Sequence, residues 1–237
     1  MNNDVTYKIF PLGDSAITID YGNVVDELVN KKIIALFELF AKAPVPGMIE
    51  AVPAYSSITI FYDPVAIKKT IPGNQTVFEW IAGQIEQRLK EDLLIPDTTP
   101  RVIKIPVCYE AEFGLDIQEL AFQKNLSPSE VVEFHIAKTY RVYMLGFLPG
   151  FAYMGEVDEK IAMPRKPQPR QHVEAGSVGI AGKQTGIYPL QSPGGWQLIG
   201  RTPIKLFNKN DDPTTLFRAG DMVVFVPISK EEFLALK

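Results

Sequence analysis

The chain has 237 residues, 46% of them hydrophobic and 22% charged, which is the make-up of a globular protein with one large or two small domains. Its formal net charge of −4 argues against nucleic-acid binding through bulk electrostatics. No apolar run approaches the ~18 residues that span a bilayer, the polar start Met1-Asn2-Asn3-Asp4 lacks a secretory signal, and the single Cys108 excludes an internal disulfide, so a cytoplasmic protein is expected.

Tyr7-Lys8-Ile9-Phe10 and Ala16 to Tyr21 have the composition of short strands, joined through the turn-forming Pro11-Leu12-Gly13-Asp14. Val25, Val29, Ile33, Leu36 and Phe40 recur at helical steps until Pro44 and Pro46 stop the pattern. Ser57 to Tyr62 alternates as a strand does. Val77, Ile81, Ile85 and Leu89 then line one face of a second helix. This order implies an α+β sandwich, a small antiparallel sheet with helices on one face, over residues 1–97.

Prolines and small polar residues in Ile95-Pro96-Asp97-Thr98-Thr99-Pro100 mark a domain boundary, and a second domain is expected over 98–237. Within it Val102–Tyr109 reads as a strand and Asp116–Lys124 as a short helix. Ser127-Pro128-Ser129-Glu130 is a capping box that opens a further helix toward Tyr140. From Arg141 onward helix signals stop. Short β-type runs at Arg141–Phe147, Val178–Ala181, Trp196–Ile199 and Met222–Pro227 suggest a β-barrel or sandwich.

Seven glycines fall between Gly176 and Gly200, a density that asks for tight turns or for backbone approaching a ligand. Six basic residues and one acid lie between Ile161 and Lys205, a window of +5 that can hold a carboxylate or phosphate or can form a solvated surface. The run Gly176 to Gln184 has the wrong spacing for a phosphate-binding loop, and Gln184 stands where a magnesium-binding hydroxyl is needed. Ser177 lacks the spacing of a hydrolase elbow. His135 and His172, the only histidines, have no neighbour at metal-ligand spacing, so no metal site is expected. Lys183, Gln184, Tyr188, Gln191, Ser192, Trp196, Gln197 and Arg201 remain as a polar and aromatic array suited to an anionic or planar ligand, or to a subunit interface.

Three motifs in order, Gly146-Phe147-Leu148-Pro149-Gly150-Phe151-Ala152-Tyr153-Met154, then Ala175 to Pro189, then Ser192 to Pro203, closely resemble the family called KipI, allophanate hydrolase subunit 1 or the B-type subunit of 5-oxoprolinase. Leu12-Gly13-Asp14-Ser15-Ala16, Tyr62-Asp63-Pro64 and Ala219-Gly220-Asp221 extend the resemblance over nearly the whole chain. Glu174 departs from the proline common there in the family. The resemblance implies a small ferredoxin-like α+β sandwich followed by a cyclophilin-like β-barrel. It also implies a subunit that works with a KipA-type and a LamB/YcsF-type partner in the ATP-dependent opening of 5-oxo-L-proline to L-glutamate, with ATP and Mg2+ bound by the complex.

In that setting Arg165, Arg170, Lys183, Gln184 and Arg201 are expected to be catalytic, the cations offsetting phosphate charge. Gly179, Gly182, Tyr188, Ser192 and Trp196 are expected to contact the cofactor. The same family leaves two further readings, a carboxyltransferase part of a urea carboxylase and an inhibitor of a sporulation histidine kinase.

Overall fold

The computed structural model describes residues 6–71, 73–90 and 99–237. The start Met1–Asp4 and most of the expected boundary, residues 95–98, lie outside the described residues. The chain divides into two compact units, Met1–Thr98 and Thr99–Lys237.

The first unit contains β1 (Lys8–Pro11), β2 (Ala16–Asp20), α1 (Glu27–Lys42), β3 (Met48–Pro53), β4 (Ser57–Tyr62), α2 (Pro64–Lys68) and α3 (Val77–Lys90). Its sheet is antiparallel in the order β1-β2-β4-β3. Alternation in β2 and β4 sends Ile17, Ile19, Ile58, Ile60 and Tyr62 into a core that α1 and α3 close with Ile33, Leu36, Phe40, Ile81 and Ile85. Asp26 caps α1 by accepting the Val29 amide, so Val25 lies outside the helix and stays exposed. Asp63 caps α2, with Pro64 at its first turn. The edge strand β3 has no strict alternation, which is why the sequence does not announce it.

The second unit contains β5 (Val102–Val107), α4 (Ile117–Gln123), α5 (Pro128–Ile136), β6 (Thr139–Leu145), β7 (Ala152–Gly155), β8 (Arg170–Val173), β9 (Ser177–Ala181), β10 (Gln184–Ile187), β11 (Ser192–Gly194), β12 (Gln197–Arg201), β13 (Met222–Pro227) and α6 (Lys230–Ala235). Seven strands form one sheet in the order β12-β9-β10-β7-β6-β13-β5, parallel only between β13 and β5. A reciprocal pair of 2.9 Å backbone bonds between Cys108 and Arg201 joins its two edges, so the sheet is a nearly closed barrel. β8 and β11 form a separate two-stranded ribbon.

Helix α6 is a correction to the reading that helix signals stop at Arg141. Ser229 and Glu232 form a capping box over a helix of six residues, too short to show periodicity. The run Gly176 to Gln184 is the β9–β10 hairpin with Gly182 at φ +60°, not a loop leading into a helix.

Inside the barrel a hydrogen-bond chain ties α5 to the strands. The Thr185 hydroxyl donates to the Gly179 carbonyl at 3.0 Å, so it accepts from His135 Nε2 at 3.0 Å, and the Tyr109 hydroxyl donates to His135 Nδ1 at 2.8 Å. That chain fixes the neutral tautomer with its proton on Nε2. His135 is a core residue.

Candidate functional site

The six basic residues of the 161–205 window divide by what they touch. Lys183, in the β9–β10 turn, pairs with Glu159 at 2.5 Å, and both side chains are at least half exposed. Arg201 ends β12 with Nε on the Ala175 carbonyl at 2.8 Å and Nη2 at 3.4 Å from Glu174. Lys166 Nζ and Arg170 Nη2 converge on one oxygen of Asp116, at 2.8 and 2.5 Å. Lys205 lines a cavity of about 440 Å3 with Arg101, Asn208, Asp212 and Thr214. Arg165 has no ion pair among the described residues; its guanidinium lies 5.8 Å from the centre of the Trp196 ring.

Asp116 organises this region, and sequence reading missed it. It stands at the N-cap of α4 without capping the helix by its side chain. Its second oxygen instead accepts the Leu198 amide at 2.7 Å, and its own amide donates to the Leu198 carbonyl at 2.8 Å. Burial alone pushes the carboxyl pKa up, but hydrogen bonds from Arg170, Lys166 and Leu198 outweigh burial and hold it below the usual aspartate value. Asp116 is therefore a buried anion that fastens residues 166–170 to the start of β12. A lone aspartate before Ile117 carries no local signal of a partner some 50 residues away.

Leu198, whose amide Asp116 holds, packs into an aromatic cluster. The Phe151 ring meets Tyr188 at 5.3 Å and Trp196 at 5.4 Å, both edge-on, and Tyr153 lies 5.9 Å from Trp196. Such pairs add ~0.5–1.5 kcal/mol each beyond their buried area. The Tyr188 hydroxyl is pushed up in pKa by burial, against a bond from the Trp196 amide and the nearby positive charge of Arg165 and Arg170. At the rim Phe147 holds φ +66° with 61% of its surface exposed. A bulky residue in the left-handed region with its ring in solvent marks stored strain at a candidate site.

The glycines have a steric explanation here. A Cβ on Gly179 would lie 2.9 Å from the Trp196 Cβ. On Gly186 it would lie 3.1 Å from both the Phe151 and Trp196 rings, and on Gly194 it would lie 2.4 Å from the Tyr188 hydroxyl. Rings, more than a ligand, occupy the space those glycines leave.

The expected set is thus only partly brought together. Arg165, Arg170, Tyr188 and Trp196 share one region, and Gly179 packs against Trp196. Ser192 pairs with Val173 in the ribbon next to it. Gly182, Lys183 and Gln184 belong to the hairpin turn with Glu159, and Arg201 belongs to the barrel seam at Cys108. Among the described residues no cluster of histidine, cysteine and carboxylates is arranged to hold a metal.

Residues 7–217 match the family model "Carboxyltransferase domain, subdomain C and D". The chain is 47% identical over 234 residues to the B-type subunit of 5-oxoprolinase from Bacillus subtilis (strain 168), covering 98% of each chain. It belongs to the family of KipI and the 5-oxoprolinase B-type subunits. A second relative, the corresponding 5-oxoprolinase subunit of Escherichia coli O157:H7, is 37% identical over 220 residues, 93% of this chain and 95% of its own. The crystal structure of TTHA0988 superposes with a TM-score of 0.76 at 37% identity over 90% of this chain. This family member spans only about 40% of that longer chain.

Proposed function

We propose that this chain is the B-type subunit of an ATP-dependent 5-oxoprolinase, which converts 5-oxo-L-proline to L-glutamate together with a KipA-type and a LamB/YcsF-type subunit in the cytoplasm. The observation that carries this reading is end-to-end identity of 47% with a protein named as that subunit of 5-oxoprolinase. An unactivated five-membered lactam is a poor electrophile. Transfer of the ATP γ-phosphoryl group to its amide oxygen, releasing ADP, activates the carbon; a water adds there, the ring C–N bond breaks with the nitrogen leaving as the amine, and a second water hydrolyses the resulting acyl phosphate to L-glutamate and phosphate.

ATP and Mg2+ are assigned to the complex rather than to this chain alone. Arg170, Lys183 and Arg201 are already paired with Asp116, Glu159 and Glu174, and the glycine-rich run is a hairpin. Among the described residues that leaves Arg165 as the member of the expected cation set without an ion pair, and the chain is proposed to be inactive by itself. We assign the first unit a ferredoxin-like layout, in which β1 fills the edge beside β2, and the second a cyclophilin-like one.

The test is to assemble the chain with its proposed partners and assay ATP-dependent glutamate release from 5-oxoproline. Release that disappears on omitting this chain supports the reading. Full release without it overturns the reading. The family model's carboxyltransferase name favours a second reading, transfer of carboxylate from carboxybiotin to urea. Urea-dependent consumption of carboxybiotin by the same assembly, with no glutamate released, selects that one.

A further inference from the structure

Lys205 is the base of the 161–205 window whose ammonium meets neither a carboxylate nor a ring among the described residues, and it lines the cavity of about 440 Å3. The loop that forms this cavity is a hairpin in its hydrogen bonds. The Leu216 amide donates to the Leu206 carbonyl at 2.9 Å, Phe207 bridges Thr215, and the Asn208 amide donates to the Thr214 carbonyl at 2.8 Å. Lys205 therefore stands at the base of the loop, and Asp211 and Asp212 at its tip. Arg101 joins the base end. Its Nη2 donates to the Leu216 carbonyl at 2.7 Å, and Nε and Nη2 grip the two oxygens of Asp221 at 3.0 and 2.5 Å. Those bonds fix the guanidinium and leave Nη1 unbonded among the described residues. At the tip, Asp211 spends one oxygen on the Asn208 side-chain amide at 2.7 Å, and the Asp212 carboxylate has no partner among the described residues. One cavity thus has open cationic donors at one end and open carboxylate oxygens at the other, and the two ends do not close on each other as an ion pair.

A volume of about 440 Å3 falls within the ~300–1,000 Å3 of small-molecule sites, so there is room for a ligand between the two ends. Two strand steps of ~3.4 Å separate the Leu206–Leu216 pair from the Asn208–Thr214 pair, which sets the ends roughly 7 Å apart along the backbone. Opposite charges held apart across one cavity suit a molecule that carries both, with its own charges also apart. We propose that this cavity binds a small zwitterion whose carboxylate and ammonium are several bonds apart, as in an ω-amino acid, a diamino acid or a dipeptide. Its carboxylate pairs with Lys205 and with the free Nη1 of Arg101, already oriented by Asp221. Its ammonium pairs with Asp212, and the chain between them lies along Phe207 and Leu216, which line the same cavity. The site shares no residue with the Asp116–Trp196 region and does not depend on the oxoprolinase reading.

The experiment is calorimetric titration of the full chain with 6-aminohexanoate and three controls. Hexanoate keeps only the carboxylate, hexylamine keeps only the ammonium, and 2-aminohexanoate is an isomer with both charges on one carbon. The zwitterion should bind saturably with a Kd below ~10 mM and about tenfold or more tightly than any control. L-Lysine and glycylglycine, titrated in turn, distinguish a diamino acid from a dipeptide as the better ligand. Lys205→Ala should weaken 6-aminohexanoate and hexanoate about fivefold or more and leave hexylamine unchanged. Asp212→Asn should weaken 6-aminohexanoate and hexylamine and leave hexanoate unchanged. Both side chains are exposed, so both variants should keep the wild-type thermal melt. Absence of saturable binding to the wild-type chain overturns the proposal. So does any control that binds as tightly as 6-aminohexanoate, or an affinity for 6-aminohexanoate that is unchanged in both variants.

Discussion

His135 and Asp116 are both buried and both titratable, and they hold opposite charge states for opposite reasons. The ring nitrogens of His135 bond only the Tyr109 and Thr185 hydroxyls among the described residues, and complete burial lowers its pKa to about 3. The unfolded chain takes up a proton there near pH 6.5. Stability from this residue is therefore complete above that value and declines as pH falls from about 6.5 toward 3, by up to ~1.4 kcal/mol per pH unit. Asp116, held below its usual value by its cations, contributes stability that is complete above about pH 4 and declines below it. Denaturant melts from pH 7 to 3 should show both phases. His135→Gln should flatten the upper phase. Asp116→Asn should cost about 2 kcal/mol at pH 7, a discounted figure because Lys166 and Arg170 keep some solvent contact, and should remove the lower phase. An upper phase that survives His135→Gln would show that it does not arise from the burial of neutral His135.

Among the elements, those with long periodicity or strong caps were legible before the fold was known. α1 and α3 show their apolar faces, the Ser127-Pro128-Glu130 box places the start of α5, and β13 is a plain apolar run. The short strands were not. β7, β10 and β11 have four residues or fewer, and Gly186 and Gly194 sit in two of them where local propensity alone argues against a strand. Their reason is tertiary, since the rings of Phe151, Tyr188 and Trp196 exclude any larger side chain. The same limit hid the site. Basic residues were visible as a window, while Asp116, which takes two of them, comes from about 50 residues earlier in the chain. Two glycine substitutions separate sterics from propensity. Gly186→Ala should cost ~1–3 kcal/mol by overpacking against Ala152, Phe151 and Trp196. Gly83→Ala, in α3 with nothing near its added Cβ, should stabilise by ~0.5–1 kcal/mol. Thermal melts of the two variants should move in opposite directions.

At the scale of the whole molecule, each unit has its own core. The barrel unit is built around Tyr140, Val142, Met154, Ile180, Ile187, Val223 and Phe225, and the first unit around its β2–β4 and α1–α3 isoleucines. Residues 99–237 expressed alone should accordingly fold with a cooperative melt and native-like near-ultraviolet circular dichroism. A fragment without fixed tertiary signal would show that the barrel core is not sufficient. Among the described residues no helix is long and apolar enough to cross a membrane. The composition excluded such a helix in advance, whereas the pairing of the barrel edges through Cys108 and Arg201 depends on strands with no local mark of each other.

That arrangement has a consequence during synthesis. β5 is the first strand of its unit to leave the ribosome, yet both its neighbours come late. Arg101, beside it, bonds Asp221, 120 residues on, and its other edge waits for Arg201. At ~5–20 residues per second, roughly 6 to 24 s pass before β13 exists to receive it. For that interval Val102–Val107 is an apolar strand with two open edges, so nascent chains stalled before Met222 should be the species that chaperones hold and that aggregates when they are depleted.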